Sequence, residues 1–251
     1  MKGMFRTGLI LLAAAAAACA PRERTLVLLS TNDMHAKIQN FPRLAAAVEN
    51  CRDTAQLVVL VDAGDRWTGN AYVDMAATPG MPMIALMNRL GYDVATLGNH
   101  EFDRGQAFLG RMIDSMAFEV VCANVTSDTC TFPQLPPYVV LDKDDVELLG
   151  KETRFDVVIG GHTHVKVDSL VNGTLLTQTG KYLKNVGVTA VRFRGRKIEG
   201  IESRLVPLDG YAPDASYQAE VDRYYADPEL NKPVGAFAGP ADKWGLANWM
   251  A

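Results

Sequence analysis

Short apolar runs along this chain end, repeatedly, in sudden polar clusters. Thr25-Leu26-Val27-Leu28-Leu29-Ser30 is continuous, without the alternation of a strand that shows one face to water, and it empties into Thr31-Asn32-Asp33-Met34-His35. Leu57 to Val61 does the same before Asp62-Ala63-Gly64-Asp65, and Val94 to Leu97 before Gly98-Asn99-His100-Glu101-Phe102-Asp103. Asp156 to Gly160 then delivers Gly161-His162-Thr163-His164. Unbroken apolar runs of this length predict strands buried on both faces.

Helical patterns lie between them. Leu44 to Val48 is alanine-rich, with Pro42 near a first turn where a missing N–H costs little. Met83 to Leu90 repeats apolar positions at helical spacing and stops at Gly91. A third helix is predicted around Phe108 to Met116, followed by a strand around Glu119 to Ala123. Strand and helix alternating at intervals of about thirty residues is the rhythm of β-α-β units. Such sheets gather the carboxyl ends of their strands, and with them these polar clusters, at one ligand-binding edge.

From Asn124 to Phe155 the pattern weakens, leaving one predicted strand at Pro137 to Leu141. Thr174 to Gln178, Asn185 to Phe193 and Ile198 to Leu205 read as three further strands, the last two joined by a turn at Gly195-Arg196-Lys197. Residues 209–251 form a tail that opens as a helix from Gln218 to Tyr225. It ends in a Pro/Gly-containing stretch with Trp244 and Trp249, read as a docking tail or a linker. No internal repeat is present.

Composition narrows the partners. The chain has 251 residues and a formal charge of −4, which becomes −6 once Lys2 and Arg6 are lost with the leader described next. A mildly acidic protein has no broad electrostatic reason to bind nucleic acid or an anionic membrane surface, so an anionic substrate would be held locally, for instance by cations. In the leader, Lys2 and Arg6 precede an apolar, alanine-rich run ending at Cys19. That is an export signal, too short to span a bilayer. Small residues before the cysteine resemble a bacterial lipobox, which implies cleavage before Cys19, a lipid on its sulfur, and a protein in the periplasm or at the cell surface, attached to the membrane only through that anchor. Ordinary signal cleavage nearby is the alternative. An exported chain can form disulfides. Cys122 with Cys130 is one pairing open on separation; three free thiols at Cys51, Cys122 and Cys130 is the other reading.

All four histidines fall in the polar clusters. Each alone reads as an ordinary hydrogen-bonded group; together they call for one explanation. Carboxylate, imidazole and amide-oxygen donors suit borderline divalent cations such as Zn²⁺, Mn²⁺ or Fe. Two such ions about 3.5–4 Å apart form the clamp used for in-line displacement at phosphorus.

On these residues the chain resembles the calcineurin-like metallophosphoesterase superfamily and, within it, the extracytoplasmic 5′-nucleotidases. Thr31-Asn32-Asp33-Met34-His35 and Gly98 to Asp103 are close to that family's signatures, and the likeness runs from about Thr25 to Pro207, giving a metallophosphoesterase domain at 25–208 after a signal at 1–19. It implies an α/β fold, a two-layered β-sandwich flanked by helices. It implies that Asp33, His35, Asp65 and His164 ligate one divalent ion and Asp65, Asn99 and His162 a second. His100, oriented by Asp103, would stabilise charge in the transition state while a metal-activated water attacks a small phosphorylated substrate.

Two departures from the family accompany the likeness. The family's second metal takes a further histidine from a strand between the Gly-Asn-His and Gly-His-x-His motifs, whereas this chain has none between His100 and His162. The join is expected near Asp142 to Asp145, with strands missing between residues 142 and 155, and the second metal is expected to bind weakly. The family also usually continues into a nucleotide-binding domain; the expectation here is either that a separately encoded chain supplies it, with the Trp244 to Trp249 tail as a contact, or that the substrate is not a nucleotide. Besides a two-metal nucleotidase, the alternatives are therefore a degenerate, weakly active or inactive lipoprotein subunit, and a hydrolase of sulfur compounds, which share related Asn-Asp-x-His motifs.

Overall fold

The computed structural model describes residues 23–125, 134–139 and 155–233. The leader with Cys19, the thiol of Cys130, the expected join at 142–145 and the tail tryptophans lie outside them. Cys51 and Cys122 are free thiols. Among the described residues no helix is long and apolar enough to cross a membrane.

The three apolar runs become β1 (Glu23–Thr31), β2 (Leu57–Asp62) and β3 (Val94–Thr96), and a fourth strand, β4 (Glu119–Val121), follows. They pair side by side in parallel, β1 with β2, β2 with β3 and β3 with β4. The connections are helical: α1 (Phe41–Thr54), a single turn α2 (Ala71–Asp74), α3 (Met81–Leu90) and α4 (Gln106–Asp114). The alanine-rich helix is longer than its apolar run because Pro42 sits in its first turn and helical backbone extends through the polar residues to Thr54.

Two chain segments separated from the parallel unit complete the large sheet. β8 (Asn185–Arg194) runs antiparallel to β1, and β9 (Lys197–Pro207) antiparallel to β8, giving the order β4-β3-β2-β1-β8-β9. β5 (Val157–Ile159), β6 (Lys166–Val171) and β7 (Thr174–Thr179) form a three-stranded sheet in the order β5-β7-β6, in which β7 lies against β1, β8 and β9. The final helix, α5 (Ala215–Tyr225), packs on α1.

Burial on both faces of the large sheet is borne out. Along β1, Leu29 and Val27 point into the main core with Leu44, Val48, Leu86 and Leu109 from the helices. Leu26 and Leu28 point the other way, into a smaller cluster with Val59, Val191 and Phe193. The fold is thus α/β with sheets flanked by helices, as expected.

The structure corrects two local expectations. Residues 137–139 are not a strand, and 140–141 lie outside the described residues; consecutive Pro136 and Pro137 remove two ladder donors and fix two φ angles. β6 is the strand the apolar pattern did not reveal, because its face is mostly exposed and its residues mixed. Its signal is the turn: Asn172 and Gly173, both at positive φ, connect it to β7.

Candidate metal centre

The four polar clusters meet where the carboxyl ends of β1, β2 and β3 face those of β5 and β7. The loops after β1 and β2 continue side by side beyond the strands: Ala63 N–H donates to the Thr31 carbonyl at 2.9 Å, Asp33 N–H to Gly64 at 3.0 Å and His35 N–H to Asp65 at 3.0 Å. The small sheet is tied on through Asn32. Its Oδ1 accepts from Thr179 N–H at 2.8 Å and from the Thr179 hydroxyl at 2.7 Å, while its Nδ2 donates to the Gly180 carbonyl at 2.8 Å and to Asp33 Oδ2 at 2.6 Å.

This framework brings Asp33, His35 and His164 into one group, with one ligand atom of each within 4.8 Å of the others. The two Nε2 atoms, of His35 and His164, face each other at 2.9 Å, and His164 Nε2 lies 3.5 Å from Asp33 Oδ1. Asp33 is fully buried, and both of its oxygens also accept from His162 N–H at 2.9 Å. A second group joins His35, Asp65 and His100 at the same spacing. His100 N–H donates to Asp65 Oδ1 at 2.8 Å, and the rings of His35 and His100 lie 4.9 Å apart, edge to face.

Five of the residues named from the sequence, Asp33, His35, Asp65, His162 and His164, have φ between 47° and 69°. Left-handed backbone is uncommon outside glycine and costs of order 1–3 kcal/mol per residue. The interlocked loops hold it.

The donor set fits a divalent cation. His35 Nδ1 lies 3.0 Å from the Thr68 carbonyl, an acceptor only, so in the neutral ring the proton sits on Nδ1 and the Nε2 lone pair faces Asp33 and His164. Metal-binding histidines are oriented in this way. Burial, helped by His35 and Lys181 and opposed by Asp33, holds the His164 imidazole below its ordinary pKa. At His100 the order is reversed: the hydrogen bond from Nδ1 to Asp103 Oδ2, 2.8 Å long, outweighs burial and holds that imidazole above its ordinary value.

Asn99 and His162 also come together, but they are bonded to each other: His162 Nδ1 lies 2.8 Å from Asn99 Oδ1. Asn99 and His162 are exposed. Two donors of the expected second set are therefore brought together and turned toward one another.

A buried polar network that the motifs did not single out supports the centre. Glu101 is 0% exposed, and its Oε2 accepts from Gly98 N–H at 2.6 Å and from Asp65 N–H at 2.9 Å, while Oε1 accepts from Arg66 N–H at 3.0 Å. The Arg66 guanidinium, equally buried, donates from Nε to Asp62 Oδ2 at 3.1 Å and from Nη2 to the Thr96 carbonyl. Burial pushes the Asp62 carboxyl up to about 6, against the pull of Arg66.

Gly98 is needed for space. A Cβ there would lie 2.7 Å from both the Asp65 carboxyl carbon and the Asp65 nitrogen. Gly98→Ala is expected to displace Asp65 and weaken divalent-ion binding by roughly ten- to a hundredfold, at an overpacking cost of about 1–3 kcal/mol. Calorimetric titration with Mn²⁺ checks this, and an unchanged affinity would rule out a role for the close approach.

Comparison with known proteins takes this geometry further. No family model matches the sequence. Over 151 residues, 53% of the chain, it is 30% identical to a 2′,3′-cyclic-nucleotide 2′-phosphodiesterase/3′-nucleotidase of Haemophilus influenzae, of which it covers 23%. A trifunctional nucleotide phosphoesterase of Bacillus subtilis is 22% identical over 315 residues, taking in 84% of the chain and 21% of the relative. Among solved structures, the 5′-nucleotidase precursor from Thermus thermophilus superposes with a TM-score of 0.70 at 20% identity, covering 82% of this chain and 59% of that one. A calcineurin-like phosphoesterase from Bacillus subtilis superposes with a TM-score of 0.67 at 19% identity, covering 81% of this chain and 97% of that one. The chain has the calcineurin-like phosphoesterase fold.

Only part of each sequence relative is matched: this phosphoesterase-fold chain spans less than a quarter of the length of those two proteins. The Bacillus alignment extends over 315 positions but takes in only 84% of 251 residues, so about a hundred positions of that relative have no counterpart here.

Proposed function

We propose that this chain is a metal-dependent phosphoesterase that hydrolyses phosphomonoesters, nucleotides foremost, outside the cytoplasm. The observation that carries the reading is the convergence of buried Asp33 with the facing Nε2 atoms of His35 and His164. Sequence relatives named as nucleotidases and nucleotide phosphoesterases support the substrate class. Asp33, His35, Asp65 and His164 would hold one divalent ion, and Asp65, Asn99 and His162 a second. Such ions supply Lewis acidity toward phosphate oxygens and a water activated at neutral pH.

The chain's own residues supply the rest. Asp103 fixes the ring of His100 through Nδ1, leaving the other ring nitrogen for an oxygen of the reacting phosphoryl group. A positive imidazole placed there stabilises charge as it develops. Glu101 and the neighbouring backbone amides hold Asp65 and the Gly98 turn in register. The leader supports export, with lipidation at Cys19 as its expected form.

The test is hydrolysis of a panel of phosphate mono- and diesters by the full chain after chelation and after return of Mn²⁺, Zn²⁺ or Co²⁺. Chelation is expected to abolish turnover and one of the ions to restore it, with His100→Ala slower by at least about a hundredfold. No turnover with any ion, at concentrations where a related intact enzyme is active, overturns the reading.

The Asn99–His162 hydrogen bond favours a second reading, a degenerate subunit that holds one ion and serves a partner carrying the substrate domain. One tight ion per chain supports it; two support the enzyme.

A further inference from the structure

The turn after β7 adds a different chemistry to the rim of this centre. Tyr182 has φ of 65° and Leu183 of 50°, two successive side chains in left-handed backbone. Both peptide groups of Tyr182 are anchored to the region after β1: its N–H donates to the Asp33 carbonyl at 2.8 Å, and its carbonyl accepts from Asn40 Nδ2 at 2.7 Å. The ring is thereby held 5.6 Å from His35 and 6.2 Å from His164, centroid to centroid.

Two ammonium groups from distant parts of the chain lie against that ring. Lys181 Nζ is 4.7 Å from its centroid and Lys37 Nζ 5.2 Å. Lys37 also donates to the Gly69 carbonyl at 2.5 Å, which draws it toward the loop that holds Thr68 and His35. Neither ammonium takes part in the ion pairs found among the described residues. Two like charges beside one ring repel each other, and cation–π attraction offsets only part of that. In a chain of net charge −4, unneutralised cations gathered at the edge of a phosphate site complement an anion larger than a single phosphoryl group.

We propose that Lys37 and Lys181, seated on Tyr182, bind the phosphoryl group adjoining the scissile one, so that the site takes nucleoside di- and triphosphates or other condensed-phosphate esters. The inference rests on the proposed phosphoesterase reading. In the reaction the oxygen of water joins the terminal phosphorus and the bridging P–O bond breaks. Its electron pair leaves with the shortened ester, and the two protons of water end on that ester and on the released phosphate. The lysines touch only the shortened ester.

Two measurements on the full chain test the assignment. In chelator-treated protein, calorimetric titration compares tripolyphosphate with orthophosphate; the ratio of their affinities is expected to fall about tenfold for Lys37→Ala, about tenfold for Lys181→Ala, and to be retained in Lys181→Arg. In metal-loaded protein, the ratio of kcat/KM for a nucleoside triphosphate to that for the monophosphate is expected to fall by the same factors. Equal losses on both ligands, or wild-type protein that prefers orthophosphate, overturn the inference. Lysine-dependent tripolyphosphate binding without hydrolysis of any ester would sink the phosphoesterase reading and leave this one standing. Hydrolysis indifferent to the lysines would do the reverse.

Discussion

Glu101→Ala is expected to lower the free energy of unfolding by about 3–5 kcal/mol, the range for breaking a buried ion pair by removing one partner. Glu101 is fully buried and its carboxylate accepts from three backbone amides, those of Gly98, Asp65 and Arg66. The alanine leaves all three without an acceptor in a site that excludes water. It also leaves the buried Arg66 guanidinium, whose Nη1 lies 3.8 Å from Glu101 Oε1, with Asp62 as its remaining carboxylate. Glu101→Gln keeps an acceptor oxygen but not the charge, and is expected to lose about half as much. Urea denaturation monitored by the fluorescence of buried Trp67 measures both. A loss below about 1 kcal/mol for the alanine would mean that water reaches the network and that its members do not depend on one another.

Asp33→Ala is expected to reduce divalent-ion affinity by more than about a hundredfold, since even the outer partners of metal ligands cost ten- to a hundredfold, and to remove hydrolysis with it. The same carboxylate accepts from Asn32 and from the His162 amide, so the alanine also orphans two donors at a cost of about 1–3 kcal/mol. Asp33→Asn separates the two effects: it retains an acceptor for the amide and removes the charge. Thermal unfolding near that of the wild type together with lost Mn²⁺ binding is the expected result. Retained Mn²⁺ affinity in Asp33→Asn would remove Asp33 from the ligand set.

Those two residues show how far the chemistry could be read without coordinates. Asp33, His35, Asp65, Asn99, His100, Asp103, His162 and His164 stand out as candidates because each follows an apolar run expected to be an interior strand, and every histidine of the chain is among them. Their pairing does not stand out in the same way. Nothing in the sequence distinguishes an Asn99 turned toward a cation from one bonded to His162.

Glu101 was hidden by its setting. Between His100 and Phe102 it reads as one more polar residue of an exposed turn, and only the approach of the loop after β2 makes it the acceptor for three amides. Arg66 is hidden in the same way, since an arginine after a turn is ordinarily solvated. Tyr182 lies far along the chain in a stretch without motif, and it reaches the centre only through a left-handed backbone angle that no tyrosine favours. In the fold, the parallel strands followed from continuous hydrophobicity, whereas β6, with a mixed and largely exposed face, did not.

The ties made by Asn32 carry a mechanical consequence. Asp33, His35 and Asp65 hang from the six-stranded sheet, while His162 and His164 follow β5 of the three-stranded one. A cation held by Asp33, His35 and His164 would therefore work as a clasp between the two sheets, and its binding energy would be felt as resistance to their parting. Occupancy of that group and docking of the small sheet are therefore linked, each favouring the other.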